Sequence, residues 1–291
     1  MEDFGRPELG VLILKMEASQ SVLFRSSPAR SLHAALLRRL ELLDSQISFD
    51  LHKKTPGAPS TEHAMTVSTL SGSFHRQGED QLAVSGQIYE ARITAMLPEV
   101  IQLLDLSFNP QHPLGQEPLI LEHVPFQVIP AQSSWEHLAN YGSLLTLAKP
   151  ERQILLEFCS ATKFNTSRRS SDRQSPGYQS PALPEPERCI GGYLRKWNAF
   201  SPMPILQESL MDFVRQHMSM QRHDLRSGSV QRLGKHSEYD CFEGNVKWQA
   251  GSGSPALLRQ VNALVDFSRY CGTGMKTAQG MGQTRRVRIR R

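Results

Sequence analysis

Signatures of metal binding are what this 291-residue sequence most clearly lacks. No HExxH or DxD motif occurs. His217 and His223 are six residues apart, and His112 and His123 eleven, with no acidic cluster to match. The four cysteines, Cys159, Cys189, Cys241 and Cys271, are widely spaced and form no CxxC pair. Neither a zinc site nor a redox dithiol is indicated, and scattered thiols in a reducing compartment are expected to be core fillers or surface bystanders. No apolar run approaches the ~20 residues that span a bilayer. The opening MEDFGRPELG lacks the charged-then-apolar pattern of a secretory signal. A cytoplasmic location with no membrane contact is therefore expected. Acidic residues are absent from the last stretch: Lys276 to Arg291 holds six basic residues and none of opposite sign. A nucleotide-binding loop is missing too. GTGMKT at 272–277 lacks the Gly-Lys-Ser/Thr core and stands near the end of the chain, where it does not follow a first strand. No metal and no cofactor are expected.

What is present begins with that same stretch. Residues 267–286 read FSRYCGTGMKTAQGMGQTRR. Gly272, Gly274, Gly280 and Gly282 fall within eleven residues, with Lys276 among them and Arg285 and Arg286 directly after. Glycine permits φ > 0 and lets a backbone come close to another molecule. With cations interleaved and acids absent, the natural partner is a string of phosphates. A tight helix-to-strand turn on a basic surface is the plainer alternative. The net charge of +5 is modest but unevenly placed, as a polyanion-binding surface would have it.

Two histidines also stand out. His33 follows Arg30 by three residues within a helical pattern, so both share a face. His52 lies in FDLHKKTPG, expected as a loop just after that helix, with Lys53 and Lys54 beside it. Imidazole exchanges protons near neutral pH, and neighbouring cations would draw in a phosphate and stabilise charge developing on it. Alternatively, His33 is a helix-surface residue and His52 a loop residue without chemistry.

The apolar share of 39% can build cores, and the length suits two domains. LGVLILKM at 9–16 reads as a central strand. Ser27 and Pro28 are placed to start a helix over 28–43, striped by Leu32, Leu36, Leu40 and Leu43. Strands follow at 64–70 and 85–96, a helix opens at Pro98, and 118–129 is again a strand. The order is β-α-β-β-α-β, the split βαβ or ferredoxin-like unit. It repeats in the second half: a strand at 152–163, a helix near 203–218, strands near 226–235 and 238–249, a helix capped by Ser254 and Pro255, the glycine loop, and a last strand. The expected fold class is thus α+β, two tandem ferredoxin-like domains with a glycine-rich loop at 272–282 before the final strand. The domains are expected at 1–130 and 151–291. A linker at 131–150 would contain a short helix around Trp135 to Tyr141. The Ser-, Pro- and Arg-rich stretch 165–189 is expected as a mobile insertion.

This combination resembles the RAMP superfamily and, within it, the CRISPR repeat-processing endoribonucleases, the Cas-six family. GTGMKTAQGMGQ at 272–283 fits that family's G-x-G-x-x-x-x-x-G-x-G loop. SLHAALLRRLELLDSQISFDLHKK looks like its first helix and histidine segment. AMTVSTLSG at 64–72 is similar to its Phe-Thr-x-Ser strand, with Met65 in place of the phenylalanine. The resemblance implies a metal-independent endoribonuclease acting on CRISPR repeats in precursor RNA. The ribose 2′-hydroxyl would attack the adjacent phosphate, leaving 2′,3′-cyclic phosphate and 5′-hydroxyl ends on the way to mature guide RNA. By the same resemblance His52 and His33 are the catalytic candidates, with Lys53 and Lys54 matching the family's lysine by type. No tyrosine precedes Tyr89, so the family's tyrosine helper is missing from the first helix. Arg30, Gly272, Gly274, Lys276, Gly280, Gly282, Gln283, Arg285 and Arg286 become RNA-binding candidates. The implied partners are repeat RNA and a CRISPR effector complex, not DNA, with the chain a monomer or homodimer. Two other readings stay open: a RAMP subunit that holds guide RNA without cutting it, and an unrelated basic RNA-binding protein.

Overall fold

The computed structural model describes residues 6–25, 27–52, 63–77, 80–164, 183–231 and 238–288. Its contacts divide the chain into two compact units. The first comprises Met1–Leu147, Arg195–Pro204 and Thr277–Gly280, and the second Ala148–Leu194, Ile205–Lys276 and Met281–Arg291.

The first unit opens with β1 (Leu9–Ala18), β2 (Val22–Phe24), α1 (Pro28–Glu41) and α2 (Ser45–His52). There follow β3 (Met65–Val67), β4 (Phe74–Gln77), β5 (Asp80–Ala83), β6 (Ile88–Ala95), α3 (Pro98–Phe108) and α4 (Pro113–Gln116). The unit continues with β7 (Leu119–Leu121), β8 (Val124–Val128), β9 (Ser134–Ala139) and α5 (Tyr141–Leu147). Its main sheet runs β3-β6-β1-β8-β7, every neighbouring pair antiparallel. Taking β1, β3, β6 and β8 as the four strands of the expected motif, the second, third, first and fourth lie side by side, the ferredoxin-like arrangement. Leu32, Leu36 and Leu40 of α1 and Val100 and Leu104 of α3 are fully buried in one core with Leu14, Met16 and Ile93 of the sheet. Each such side chain contributes about 2–3 kcal/mol on leaving water, which is why the leucine stripe of α1 locates the sheet.

The structure departs from the sequence expectations at several points. The stretch 118–129 is a hairpin, β7 and β8, turned by Glu122 and His123, both at positive φ. A small second sheet, β2-β5-β4, was not foreseen because its strands are short and β4 and β5 largely polar. Residues 134–139 form strand β9, which pairs with Leu9–Ile13 of β1 where a short helix had been expected; the helix comes after it, at Tyr141–Leu147. Ser27 occupies the N-cap of α1, but its side chain makes no capping bond. His52 is the last residue of α2, not a loop residue. Asp44 accepts a hydrogen bond from Ile47 N at 2.9 Å and starts that helix as a capping residue does.

The second unit holds β10 (Gln153–Thr162), most of α6 (Pro186–Phe200), α7 (Gln207–His217), β11 (Met218–Gln231), β12 (Glu238–Ala250), α8 (Pro255–Cys271) and β13 (Thr284–Val287). Its sheet runs β11-β12-β10-β13, antiparallel throughout, which repeats the ferredoxin-like order. Ile154, Leu156 and Phe158 alternate inward as the period-2 pattern requires. Ser254 caps α8 by accepting from Leu257 N. Helix α6 was not expected: it starts inside the stretch read as an insertion, of which residues 165–182 lie outside the described residues.

One polar residue ties the helical side of the first unit together. Arg39, 5% exposed, donates to the carbonyls of Ser107, Glu117 and Pro118 at 3.2, 2.6 and 3.1 Å, and its guanidinium lies 5.2 Å from the centre of the Phe108 ring. It satisfies carbonyls at the end of α3 and just beyond α4 that have no partner within their helices. Replacing Arg39 with alanine strands these acceptors, and we expect a loss of about 2–4 kcal/mol in urea unfolding. A loss below about 0.5 kcal/mol, the range of ordinary surface changes, would show that the clamp is dispensable.

Candidate functional site

The glycine-rich stretch follows α8 directly. Gly272, Gly274, Gly280 and Gly282 all have φ between 62° and 90°, and Lys276 joins them at 58°. The left-handed backbone expected from the glycines is therefore real. Its close approaches, however, are to the protein's own chain. In the second unit a Cβ on Gly274 would lie 2.2 Å from the carbonyl oxygen of Lys163, to which Met275 N donates at 2.9 Å. There too the Tyr193 hydroxyl is bonded to Thr273 Oγ1 at 2.6 Å and Thr273 Oγ1 to Thr284 Oγ1 at 2.7 Å.

In the first unit, Thr277–Gln279 form a short 3-10 turn that ends at Gly280. Gly280 N donates to Val67 O at 2.9 Å, and Gly280 bridges in parallel to Ser68 at the end of β3. A Cβ on Gly280 would stand 2.7 Å from Ala29 Cβ in the first turn of α1 and 3.3 Å from Thr69 N. The loop segment is thereby seated on the beginning of α1. That helix begins with Pro28, has no acid in its first turn and carries Arg30 and His33 one turn apart, both partly exposed. The first turn is not without a carboxylate, however, since the Ser31 hydroxyl donates to Glu122 of the β7–β8 turn. Imidazole and guanidinium are groups that phosphoryl chemistry without a metal can use.

The other candidates fall out differently. His52 ends α2, and α2 is fastened to α1 where Ser48 Oγ donates to Leu37 O at 2.9 Å. Lys53 and Lys54 lie outside the described residues. Lys276 is partly exposed at its strained φ. Arg285 is exposed on β13 and pairs with Glu157 at 2.7 Å. Gln283 is buried, its backbone N–H donating to Ser160 Oγ at 3.0 Å. Arg286, expected at a phosphate, has a side chain 9% exposed and bonded to Glu151, Asp266 and Asn262 at 2.8, 3.2 and 2.5 Å. Two carboxylates and an amide hold it inside the second unit as a tie between β13, α8 and the chain before β10.

Of the groups not foreseen, Lys196 bonds Thr277 Oγ1 from α6. Burial pushes the phenol of Tyr193 well above its usual range, with Cys189 adding to the shift, so it stays protonated and holds the loop by its hydroxyl. Burial likewise raises the Cys241 thiol to about 11 and Cys189 further still, which leaves both inert as nucleophiles. Among the described residues no group of three His, Cys, Asp or Glu side chains could hold a metal ion, and no helix is long and apolar enough to cross a membrane.

Known proteins resemble the chain in part of its sequence and in its fold. The sequence profile of the family described as "CRISPR-associated endoribonuclease Cas6" matches residues 156–284. No curated protein sequence matches the chain. Among solved structures, a product complex of a Cas6 of Thermus thermophilus is similar with a TM-score of 0.68 at 18% identity, covering 96% of this chain and all of that one. A Cas6-related protein of Pyrococcus furiosus gives 0.63 at 12% over 97% of this chain. A structure described as a RAMP protein binding different RNA substrates gives 0.59 at 9% over 96%. At such identities the likeness concerns the fold.

The seating of Gly280 can be tested against an open glycine. Gly86 has a similar φ of 75° but no atom within 4 Å of a built Cβ, whereas Gly280 has both strain and a clash. Alanine at Gly86 should cost about 1–2 kcal/mol of backbone strain, and alanine at Gly280 at least about 1 kcal/mol more, read from equilibrium unfolding. Equal losses would mean that the loop is not held against α1.

Proposed function

We propose that the chain is a metal-independent endoribonuclease of the Cas6 type that cuts CRISPR repeats in precursor RNA, a reading supported by the family pattern matched over residues 156–284 and by the likeness of fold. The observation that carries this reading is the seating of Gly280 on Ala29 in the first turn of α1, the helix that carries Arg30 and His33. A ribose 2′-hydroxyl loses its proton to a histidine and its oxygen attacks the neighbouring phosphorus. The P–O5′ bond breaks, and a second acid returns a proton to the departing 5′-oxygen. The first fragment ends in a 2′,3′-cyclic phosphate and the second begins with a 5′-hydroxyl, so atoms and charge balance without a cofactor. His33 and His52 are proposed as the proton-transfer pair, Arg30 as the cation that meets the developing negative charge, with Lys53 and Lys54 assisting. Lys276 and Arg285 are proposed as phosphate contacts along the RNA, whose affinity would then fall with salt. Arg286 is left out of this role because its guanidinium is buried between two carboxylates, whereas Arg285, though paired with Glu157, is exposed.

A second reading has specific support in the likeness to a RAMP protein binding different RNA substrates. On that reading the chain holds guide RNA and the histidines are incidental. One experiment separates the two. Purified protein mixed with its repeat RNA in excess EDTA should cleave in single turnover. His33→Ala and His52→Ala should each slow the step by roughly 10²–10⁴, typical of acid–base residues, with RNA affinity little changed. Intact RNA with the wild-type protein, or near-normal rates in both variants, would favour the RNA-holding reading or move the active site elsewhere.

A further inference from the structure

Helix α6 buries Cys189, Ile190, Tyr193, Leu194 and Trp197, the stripe of an amphipathic helix. Lys196 lies on that same stripe and is only 4% exposed. A lysine at such a position ordinarily extends its head to water and leaves its stem on the apolar surface. Here the ammonium instead donates to Thr277 Oγ1 at 3.2 Å, itself a buried hydroxyl. Both residues belong to the first unit. Thr277 begins the 3-10 turn whose end, Gly280, seats on Ala29 and bonds Val67. A buried ammonium adds little to stability compared with an apolar side chain of the same size, so its presence at this point asks for another purpose.

We infer that Lys196 is a positioning residue for the proposed reaction: it fixes the turn Thr277–Gly280, and through it the start of α1, the helix that carries Arg30 and, one turn later, His33. The chain of contacts is short. Lys196 holds Thr277, three residues later Gly280 is pinned between Val67 and Ala29, and Arg30 is the next residue of α1. A glycine-rich turn with left-handed residues at both ends has few side chains to define it, and one buried donor can decide between its conformations. Displacement of reacting groups by about an ångström is enough to slow a reaction by orders of magnitude. This inference rests on the nuclease reading for its consequence, but its structural part stands apart from it.

The test uses the full chain with two substitutions and two readouts. Lys196→Met removes the ammonium and keeps the stem; Thr277→Val removes the acceptor at constant shape, with Thr277→Ser as the variant that restores it. Exchange of the Gly280 amide, which bonds Val67 O, should speed up by roughly tenfold in Lys196→Met and in Thr277→Val, and stay at the wild-type rate in Thr277→Ser. Single-turnover cleavage of saturating repeat RNA should fall about tenfold in the first two variants while the RNA dissociation constant stays within about threefold. Unchanged Gly280 exchange in both Lys196→Met and Thr277→Val overturns the positioning role. Faster exchange with unaltered cleavage by an active protein also overturns it, since the turn would then not matter to the reaction. Faster exchange in a wild-type background that cuts no RNA leaves Lys196 as the clamp of the turn and defeats the nuclease reading instead. Should Lys196→Met fail to fold, Thr277→Val and Thr277→Ser decide the question alone.

Discussion

A contact that tolerates only a hydrogen on Cα governs the first unit's site. At Gly280 the chain takes φ of 90° and comes close enough to Ala29 that any side chain would collide. Three demands meet at this residue: a left-handed backbone, a hydrogen bond to Val67 and room against the first turn of α1. Only glycine meets all of them. The glycine-rich stretch therefore works first on the protein itself. Gly280 joins the end of β3 to the start of α1.

The rest of each unit supports such a contact in simple ways. In the first, the leucines of α1 anchor the helix to the sheet, and Arg39 closes the exposed carbonyls behind it. In the second, Arg286 and its carboxylates fasten β13 to α8, so the strand that leaves the glycine stretch is fixed in place. Hydroxyl groups at Tyr193, Thr273 and Thr284 form a short hydrogen-bonded series beside Gly272 and Gly274. Neutral, buried and mutually satisfied, they stiffen the loop without adding charge.

Much of this was legible in the sequence wherever periodicity was strong. The leucine stripe of α1, the Pro98 and Ser254–Pro255 helix starts and the alternation in β10 each fall where the pattern predicts. Features set by tertiary pairing were not legible. Strand β9 is mostly exposed and shows its nature only through β1, and β4 and β5 pair as short polar strands. Helix α6 starts in a composition typical of loops, although Cys189, Ile190, Tyr193 and Trp197 carried its period. Asp44 was a readable start signal for α2, and with it His52 moves from a loop to a helix end. For the candidate site, His33, Arg30 and the glycines are proposed from residue type. Partnership could not be read that way: an arginine among arginines gives no sign that Arg286 is buried with carboxylates and Arg285 is not. Lys196 was hidden for the converse reason, since a lysine in an apolar stripe reads as a snorkelling surface residue.

The chemistry proposed at α1 is defined by where the new ends of the RNA are made. An internal 2′-hydroxyl as nucleophile leaves its mark on both products, whichever histidine moves which proton. The most direct measurement is mass spectrometry of the fragments released from repeat RNA, set beside a substrate with 2′-deoxyribose at the cut nucleotide. The account predicts a 2′,3′-cyclic phosphate on one fragment, a 5′-hydroxyl on the other, and no cleavage of the deoxy substrate. Fragments ending in 3′-hydroxyl and 5′-phosphate, or cleavage that survives the deoxy substitution, would contradict it.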